Sequence, residues 1–449
     1  MKHIFLISLF LLMNIVVRAQ QNITPSAYRF NLQACLEYAY ENQDSLKNAK
    51  LDIETAGYKV KEIIGLGLPQ VSGNVNLQDF LKLPTSLLPG DFFGQPGTFI
   101  PVKFGVKYQS TLGINVDQLI FDGTYLVGLQ AAKVYKELSE RAYDRTKIAT
   151  NVSVTKAYYQ VLVSAEQLKL LDANINQLRQ QLTETTELNK QGFIEKIDVD
   201  RLTVQFNNLN TTRENTIRML ALGYQVLKFQ IGMQVSENLI VEGSISDISL
   251  GAEAAVGNAD TSIYRNRIEY SLLETQLRVS KYDLKRYKSQ FLPSLSAFGS
   301  SSINYQNNSF GELFKQNFPT TVIGLRLNVP IFSGFQRLNR VKQAQVAVLK
   351  IDNTLNLIKN AINLELDQVR TMYLNAIVSL NNQRQNMELA REVLRVTKIK
   401  YEQGVGSNIE VTQAQTLLEQ ADTNYIQALY NALISKVDMQ KASGNIVIN

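Results

Sequence analysis

Gln191-Gly-Phe-Ile-Glu-Lys-Ile-Asp-Val199 is followed, 212 residues further along, by a stretch of the same pattern, Gln403-Gly-Val-Gly-Ser-Asn-Ile-Glu-Val411. Both stretches keep the Gln-Gly pair and the Ile-acid-Val triplet at the same spacing. Glycine readily adopts the positive-φ backbone conformations of tight turns, which other residues rarely adopt. Each stretch therefore predicts a turn at Gly192 or Gly404, and the chain contains this turn twice.

Other local patterns recur at nearly the same distance. Phe121-Asp-Gly123 pairs with Phe332-Ser-Gly334 at 211 residues, and Leu68-Pro69 pairs with Leu292-Pro293 at 224 residues. The larger spacing of the second pair indicates that one loop is shorter in the second half. We interpret the pattern as a tandem duplication of a unit of about 200 residues, far longer than a solenoid repeat. The predicted repeats are 20–250 and 251–449.

Composition excludes most enzyme classes. The only histidine is His3 and the only cysteine is Cys35 in a chain of 449 residues. His3 falls inside a predicted signal peptide at residues 1–19. The mature chain, with no histidine and one cysteine, therefore cannot build a Ser-His-Asp triad, a Cys-His pair, a His-ligated metal site or an internal disulfide. The net charge of +6 is small for this length, so nucleic acid is not an expected partner. We expect neither an enzyme nor a cofactor.

The chain begins with the pattern of an export signal. A basic end at Lys2 precedes an apolar run over residues 4–13, and small or short residues stand before Gln20. This order predicts a signal peptide over residues 1–19, with a buried N-terminal helix as the alternative. Elsewhere the sequence has no run of 18 or more apolar residues, so no membrane-spanning helix is predicted.

Proline placement and apolar spacing predict long helices. No proline occurs between residues 102 and 292 or after residue 330. Apolar residues from Val341 to Ile362 alternate spacings of three and four, which is the seam of a coiled coil. Two long helices are predicted at Gly123–Lys190 and Gly334–Gln403, each about 100 Å in length. Four shorter partner helices are predicted at Asn31–Leu66, Glu195–Ile231, Ser262–Gln290 and Ser407–Ser443.

Between the short and long helices lie four segments in which polar and apolar residues alternate. They are Val71–Gln78, Tyr108–Asp117, Leu295–Tyr305 and Ile323–Ile331, with a break in the pattern at Phe298. Roughly ten residues of alternation is the length and pattern of a transmembrane β-strand. Aromatic residues cluster near the segment ends, where an aromatic girdle would lie. The loop Pro84–Pro101 carries four prolines and is predicted to be exposed.

Four strands are too few to close a barrel. A sheet in lipid must close, because the bilayer core holds no water to hydrogen-bond the backbone groups at an open edge. Each unpaired group therefore destabilises the sheet. Several copies of the chain are therefore required, and two, three or four copies would give 8, 12 or 16 strands. The alternative is a pair of soluble hairpins that are each half-buried on a helix.

The order of helix, strand, strand, long helix, tip glycine and returning helix resembles the TolC-like outer-membrane efflux channels. The opening Asn31–Gln43 segment resembles the first helix of that family, and the Leu-Pro pairs and both tip stretches are also family-like. The resemblance implies an α+β membrane protein that forms a trimer with a 12-strand barrel, continuous with a coiled-coil tunnel through the periplasm. It also implies that the barrel contacts outer-membrane lipid. The tunnel is implied to dock to a periplasmic adaptor that is coupled to an inner-membrane pump.

The resemblance further implies a pore and a gate. Six polar residues of the alternating segments would line the water-filled pore, namely Asn74, Asn76, Asn115, Asn304, Arg326 and Asn328. The family often closes its periplasmic entrance with an acidic ring just after the second tip, which maps to Glu410 and, one turn later, to the uncharged Gln413. Three Glu410 carboxylates around a three-fold axis would attract cations. Opening would untwist the helix tips.

Each residue of the predicted gate also has a plainer interpretation. Glu410 can act as a first-turn carboxylate that complements the positive end of a helix, and Asp198, its counterpart in the first repeat, is better explained as a helix-start residue.

Phe193 and Val405, next to the tip glycines, are candidates for adaptor contact. The competing function for the whole chain is an exported periplasmic coiled-coil tether without a pore.

Overall fold

The computed structural model describes residues 28–446 except 95, 246–247, 249 and 251–261. The predicted signal peptide at 1–19 lies outside the described residues. Eight α-helices are described: α1 Leu32–Asn42, α2 Asp44–Gly65, α3 Gly123–Lys190, α4 Lys196–Ile231, α5 Ser262–Asn266, α6 Ile268–Ser289, α7 Gln336–Glu402 and α8 Asn408–Ala442. The two long helices contain 68 and 67 residues, which confirms the prediction. Over the described residues, no helix combines the length and the apolar character needed to cross a membrane.

Two predicted helices are each divided in two, which corrects the prediction for Asn31–Leu66 and Ser262–Gln290. The first division is at Gln43, whose backbone is extended and whose side-chain Oε1 accepts a hydrogen bond from Ser45 N. Gln43 therefore caps the start of α2. The second division is at Arg267, which lies between α5 and α6.

Arg267 is a buried charge that joins three segments at the second division. Its guanidinium donates hydrogen bonds to Glu269 at 3.0 Å, to Glu365 at 2.7 Å and to the carbonyl of Ala442 at 2.9 Å. Burial by itself raises the pKa of Glu269, but the hydrogen bond and charge of Arg267 outweigh burial and the pKa is lowered. Arg267 thus joins the start of α6 to α7 through ion pairs and to the end of α8 through a hydrogen bond.

Eight strands are described: β1 Tyr28–Phe30, β2 Gln70–Asp79, β3 Thr85–Pro89, β4 Phe99–Lys103, β5 Tyr108–Phe121, β6 Leu239–Val241, β7 Ser294–Asn307 and β8 Asn317–Asn328. The main sheet has the order β2-β5-β7-β8 and is antiparallel throughout. Its four strands are the four predicted ones. β8 ends at Asn328, before Val329 and Ile331 of the predicted alternation, because Pro330 has no N–H to continue a ladder.

Two smaller sheets were not predicted. The loop Pro84–Pro101 contains the antiparallel pair β3 and β4, so it is partly a hairpin rather than only a loop. After α4, the segment Leu239–Val241 forms β6, which pairs in parallel with β1. Both pairs are short, and neither has the long alternation that made the main strands recognisable.

The register of the main sheet separates an apolar from a polar face. Val71, Val116, Gly299 and Ile323 lie across from one another on one face. The six polar residues predicted to share a face do so; among them, Asn115 Nδ2 donates to Asn74 Oδ1 at 3.0 Å. Phe298 lies on the polar face, where Gly324 leaves room for its ring and the Arg326 guanidinium stacks over it at 4.9 Å.

The chain forms two compact units, which do not coincide with the repeats. The first contains the described residues of 28–50, 141–271 and 357–446, and the second contains those of 51–140 and 272–356. The largest core of the first unit includes Cys35, Tyr158, Leu227 and Leu433. Burial raises the pKa of the Cys35 thiol to about 12, which keeps it protonated and unreactive. The second unit carries the main sheet. The repeat boundary near residue 250 stays a prediction.

Candidate channel gate at the helix tips

The first tip connects α3 to α4 through a glycine turn. Gly192 has φ +82°, in the left-handed region that favours glycine. Its N–H donates to the carbonyl of Asn189 at 2.9 Å, and the next N–H, from Phe193, donates to the carbonyl of Leu188 at 3.0 Å. This pair of bonds is a Schellman motif, which satisfies carbonyls at the end of a helix.

The second tip, between α7 and α8, repeats this geometry. Gly404 has φ +73°. Its N–H donates to the carbonyl of Tyr401 at 3.0 Å, and the N–H of Val405 donates to that of Lys400 at 3.0 Å. The duplicated sequence thus folds into a duplicated turn.

Each turn projects an apolar side chain away from the protein. Phe193 is 76% exposed and Val405 is 78% exposed, and each directly follows the turn glycine. Exposed apolar side chains at equivalent positions of two turns form a small surface suited to contact with another protein.

Glu410 lies in the first turn of α8. Ser407 is the N-cap of this helix, and its hydroxyl oxygen accepts a hydrogen bond from Glu410 N at 3.3 Å. This S-x-x-E arrangement fits a capping box, which agrees with the helix-start interpretation. The side chains of Glu410 and Gln413 are both exposed. The backbone of Glu410 thus takes part in the helix cap, and its exposed carboxylate can still contact a cation or another copy of the chain.

Asp198 has a different environment from Glu410. It is partly buried and lies 3.6 Å from the Arg201 guanidinium. Burial, followed by the charges of Asp198 and Glu184, raises the pKa of Tyr401 in the last turn of α7. Sequence reasoning missed this electrostatic link between the two tips. An aromatic residue among the charged residues Lys398, Lys400 and Glu402 of the last helical turn was the available signal.

A family model described as "Outer membrane efflux protein" matches residues 36–218 and 265–445, which is most of the chain. The chain belongs to the outer membrane efflux protein family. The match covers both halves of the duplicated order of elements, including both tip regions.

Individual members of the efflux protein family are distant in sequence but similar in fold. Outer membrane protein TolC of Vibrio cholerae is 22% identical over 339 residues, covering 74% of this chain and 76% of the relative. The alkaline protease secretion protein AprF of Pseudomonas aeruginosa is 21% identical over 332 residues, covering 73% and 67%. The crystal structure of the Campylobacter jejuni CmeC outer membrane channel has a TM-score of 0.73 at 16% identity, covering 92% of this chain and 85% of that chain.

Membership of the efflux protein family decides between the two functions considered for the sequence. The family consists of outer-membrane channels rather than enzymes or tethers. The protein is accordingly an outer-membrane channel that extends into the periplasm and serves as an exit duct for efflux or secretion.

Proposed function

We propose that three copies of this chain close a 12-strand barrel in the outer membrane. The observation that carries the proposal is the open four-stranded sheet, whose outer strands β2 and β8 have no further partner strand among the described residues. Lipid cannot hydrogen-bond the free edge groups of these strands. Pairing β8 of one copy with β2 of the next satisfies both edges, and the resemblance to TolC-like channels supports three copies.

The faces and ends of the sheet also suit a bilayer. The apolar face would contact lipid, and the polar face, with Asn74, Asn115 and Arg326, would line a water-filled pore. Aromatic pairs lie near both ends of the strands. Tyr108 packs on Phe310 at 5.4 Å on the loop side, and Phe332 packs on Phe335 at 5.5 Å on the helix side. Such pairs match the two aromatic girdles of outer-membrane barrels.

Counting chains in detergent tests this proposal. Native mass spectrometry of the purified protein should give the mass of three chains, and the oligomer should dissociate into monomers on a gel only after boiling. The trimer added to a planar bilayer should conduct ions in discrete steps. A protein that stays monomeric and water-soluble without detergent, or that assembles with two or four chains, contradicts the trimeric barrel.

The trimer would act as a passive conduit that is gated at the helix tips. In the resting state the tips would converge, so that three Glu410 carboxylates narrow the entrance and attract cations. Gln413 would form a neutral ring one turn above, and Asp198 would carry the corresponding charge at the first tip. The exposure of Glu410 supports its role. The inner-membrane pump would supply the energy for transport.

Replacing Glu410 with glutamine tests the gate. Glutamine also suits the third position of a helix behind a serine cap, so α8 should start normally while the ring loses its charge. In planar bilayers, block of the Glu410→Gln channel by divalent cations should weaken at least tenfold. Glu195→Gln is the matched control, because Glu195 is an exposed acid at the other tip, and its block should equal that of the wild type. Unchanged block in Glu410→Gln would remove Glu410 from the gate.

We also propose that the tips dock a periplasmic adaptor coupled to an inner-membrane pump. The support is the pair of exposed apolar side chains, Phe193 and Val405, at the two turns. Substituting a central apolar anchor of an interface commonly costs about 1–2 kcal/mol or more. Phe193→Ala should therefore weaken binding of the cognate adaptor about tenfold in a surface plasmon resonance assay, since ~1.4 kcal/mol corresponds to that factor.

The control for adaptor docking is another exposed phenylalanine on the same helical hairpin. Phe229 lies near the C-terminal end of α4, away from the tip, so Phe229→Ala should bind the adaptor like the wild type. Val405→Ala should give a smaller loss than Phe193→Ala, because valine has fewer atoms to bury. Equal binding by Phe193→Ala and Phe229→Ala would show that the adaptor does not contact the first tip.

A further inference from the structure

Positive charge is concentrated where two helices of the second compact unit meet the main sheet. The end of α6 and the start of α7 lie at the same end of the sheet, because α6 leads into β7, α7 follows β8, and Ser294 of β7 pairs with Asn328 of β8. Residues 279–290 and 336–347 contain seven lysines or arginines and one acid, a net charge of +6. The whole chain has a net charge of +6 as well. These two short segments therefore carry a charge equal to that of the entire chain.

The first repeat lacks this concentration. Its matching segments, residues 55–66 at the end of α2 and 123–134 at the start of α3, contain three lysines and one acid, a net charge of +2. A position next to the sheet is therefore not by itself enough to require the charge. The positive charge belongs to the side of the sheet that carries β7 and β8.

Six cations of these segments have no ion-pair partner among the described residues. We call them the basic collar: Lys281, Lys285 and Lys288 of α6, and Arg337, Arg340 and Lys342 of α7. Arg337 is half-buried and the other five are exposed. The seventh cation, Arg286, is paired with Asp283 at 3.1 Å. Residues spaced by four and then three positions lie on one face of a helix, so the three lysines of α6 form a single stripe.

Helix stability does not explain the collar on α7. The N-terminal end of a helix carries partial positive charge, which favours acids and disfavours cations. The starts of α4 and α8 follow this rule with Asp198 and Glu410. The first turn of α7 contains no acid, and three of its first seven residues are cations. A negatively charged partner outside the helix would account for cations at this unfavourable place.

Exposed apolar residues lie between the sheet and the collar. Phe291 and Leu292 connect α6 to β7, and Ile331, Phe332 and Phe335 connect β8 to α7; all five are exposed. Along both connections the order from the sheet outwards is apolar side chains and then cations. Aromatic residues at the edge of the hydrocarbon, followed by lysines and arginines that reach the headgroups, form the usual order at a membrane interface.

Phe335 adds a structural sign that this order is maintained at some expense. Its φ is +60°, and among the residues that the structure describes it is the one non-glycine with φ in the left-handed region. Such a conformation is strained for a bulky side chain. It brings the ring of Phe335 to 5.5 Å from that of Phe332, directly before the cations of α7.

The collar lies within reach of lipid headgroups. A helix rises 1.5 Å per residue, so Lys281–Lys288 lie within about 12 Å of the end of α6, and Arg337–Lys342 within about 9 Å of the start of α7. The headgroup layer on each side of a bilayer is about 5–8 Å thick. Long flexible side chains span the remaining distance.

We propose that the basic collar binds the phosphates of anionic phospholipids in the periplasmic leaflet. Lysines and arginines next to a negatively charged membrane surface are attracted to it, and arginine can donate two hydrogen bonds to one phosphate. Three copies of the chain would present three separate basic patches around the barrel. Bound lipid would fix the depth of the barrel in the membrane. The proposal rests on the barrel proposed above.

Native mass spectrometry of the oligomer in neutral detergent, with added lipid, tests the collar. The wild type should bind dioleoyl phosphatidylglycerol at least tenfold more tightly than dioleoyl phosphatidylcholine, and added salt should weaken only the former. Two triple variants should each lose at least tenfold in phosphatidylglycerol affinity and keep their phosphatidylcholine affinity: Arg337→Gln/Arg340→Gln/Lys342→Gln and Lys281→Gln/Lys285→Gln/Lys288→Gln. The second keeps the test decisive if the first fails to fold.

The matched control removes three exposed cations from places further along α7. Lys350, Arg370 and Lys400 are exposed and have no ion-pair partner in the described part of the chain. The variant Lys350→Gln/Arg370→Gln/Lys400→Gln changes the net charge by the same amount as each collar variant. Its affinity for phosphatidylglycerol should equal that of the wild type, because its cations lie beyond the headgroup layer.

Thermal unfolding separates lipid binding from a purely structural role. Without lipid, the α7 collar variant should melt at the same temperature as the wild type or higher, because it removes cations from the positive end of a helix. Phosphatidylglycerol should raise the melting temperature of the wild type and not that of the variant. A lower melting temperature of the variant without lipid would contradict the proposal.

Two further results would overturn the collar. One is equal affinity of the wild-type oligomer for the two lipids, or unchanged phosphatidylglycerol affinity in both collar variants. The other is loss of the oligomer by a collar variant in neutral detergent, which would show that the cations pair with acids of a neighbouring copy. A wild-type protein that is monomeric in the same spectra would refute the barrel, and the collar with it. The number of chains in the spectra therefore distinguishes failure of the barrel from failure of the collar alone.

Discussion

Replacement of Ile323 by arginine is expected to abolish assembly of the heat-stable oligomer. Ile323 is 85% exposed in the isolated chain, near the middle of β8 and on the apolar face that would meet lipid. An arginine on the lipid face near the bilayer midplane costs about 2–4 kcal/mol. Three copies per barrel incur this cost together, and the oligomer band on a gel without boiling should disappear.

The adjacent residue gives the control for this experiment. Val322 is on the same strand, is 45% exposed and pairs with Ser300 on the polar face. Arginine at position 322 would point into the water-filled pore, so Val322→Arg should retain the oligomer and should change only ion selectivity. If both variants lose the oligomer, or both keep it, the two faces do not separate lipid from water.

The features of the fold that the sequence predicts are those with a local cause. A sheet with one apolar and one polar face imposes a period of two on strands such as Val71–Gln78. The absence of proline and the three-four spacing of apolar residues identify long helices without any knowledge of their partners. The tip turns at Gly192 and Gly404 are recognisable because a left-handed turn needs a particular residue type.

The features that were missed depend on contacts between distant parts of the chain. Arg267 divides a helix because its partners Glu365 and Ala442 come from α7 and α8. The charge of Asp198 raises the pKa of Tyr401, which lies 203 positions further along the chain. Asp422 of α8 is buried, and its carboxylate accepts a hydrogen bond from Asn174 of another helix. None of these contacts leaves a periodic pattern in the sequence.

Replacement of Gly232 by alanine should destabilise the first compact unit strongly. Gly232 ends α4 with φ +74°, and a Cβ there would stand 2.7 Å from the carbonyl carbon and oxygen of Asn42 and from Cα of Gln43. These are backbone atoms at the division between α1 and α2, so they cannot rotate away. The left-handed conformation and overpacking together should cost roughly 2–4 kcal/mol. Thermal unfolding followed by circular dichroism in detergent measures the loss.

Gly192→Ala separates the two causes of this loss. Gly192 has a similar φ of +82°, but a Cβ there would meet no atom within 4 Å, so alanine should cost only the backbone strain of about 1 kcal/mol. Gly444 ends the second repeat with φ +71°, and a Cβ there would lie 2.9 Å from the carbonyl oxygen of Asn266. Gly444→Ala should therefore behave like Gly232→Ala. Equal losses of stability at positions 192 and 232 would mean that only the backbone strain matters. The close approach of Gly232 to Asn42 and Gln43 would then make no contribution to the loss.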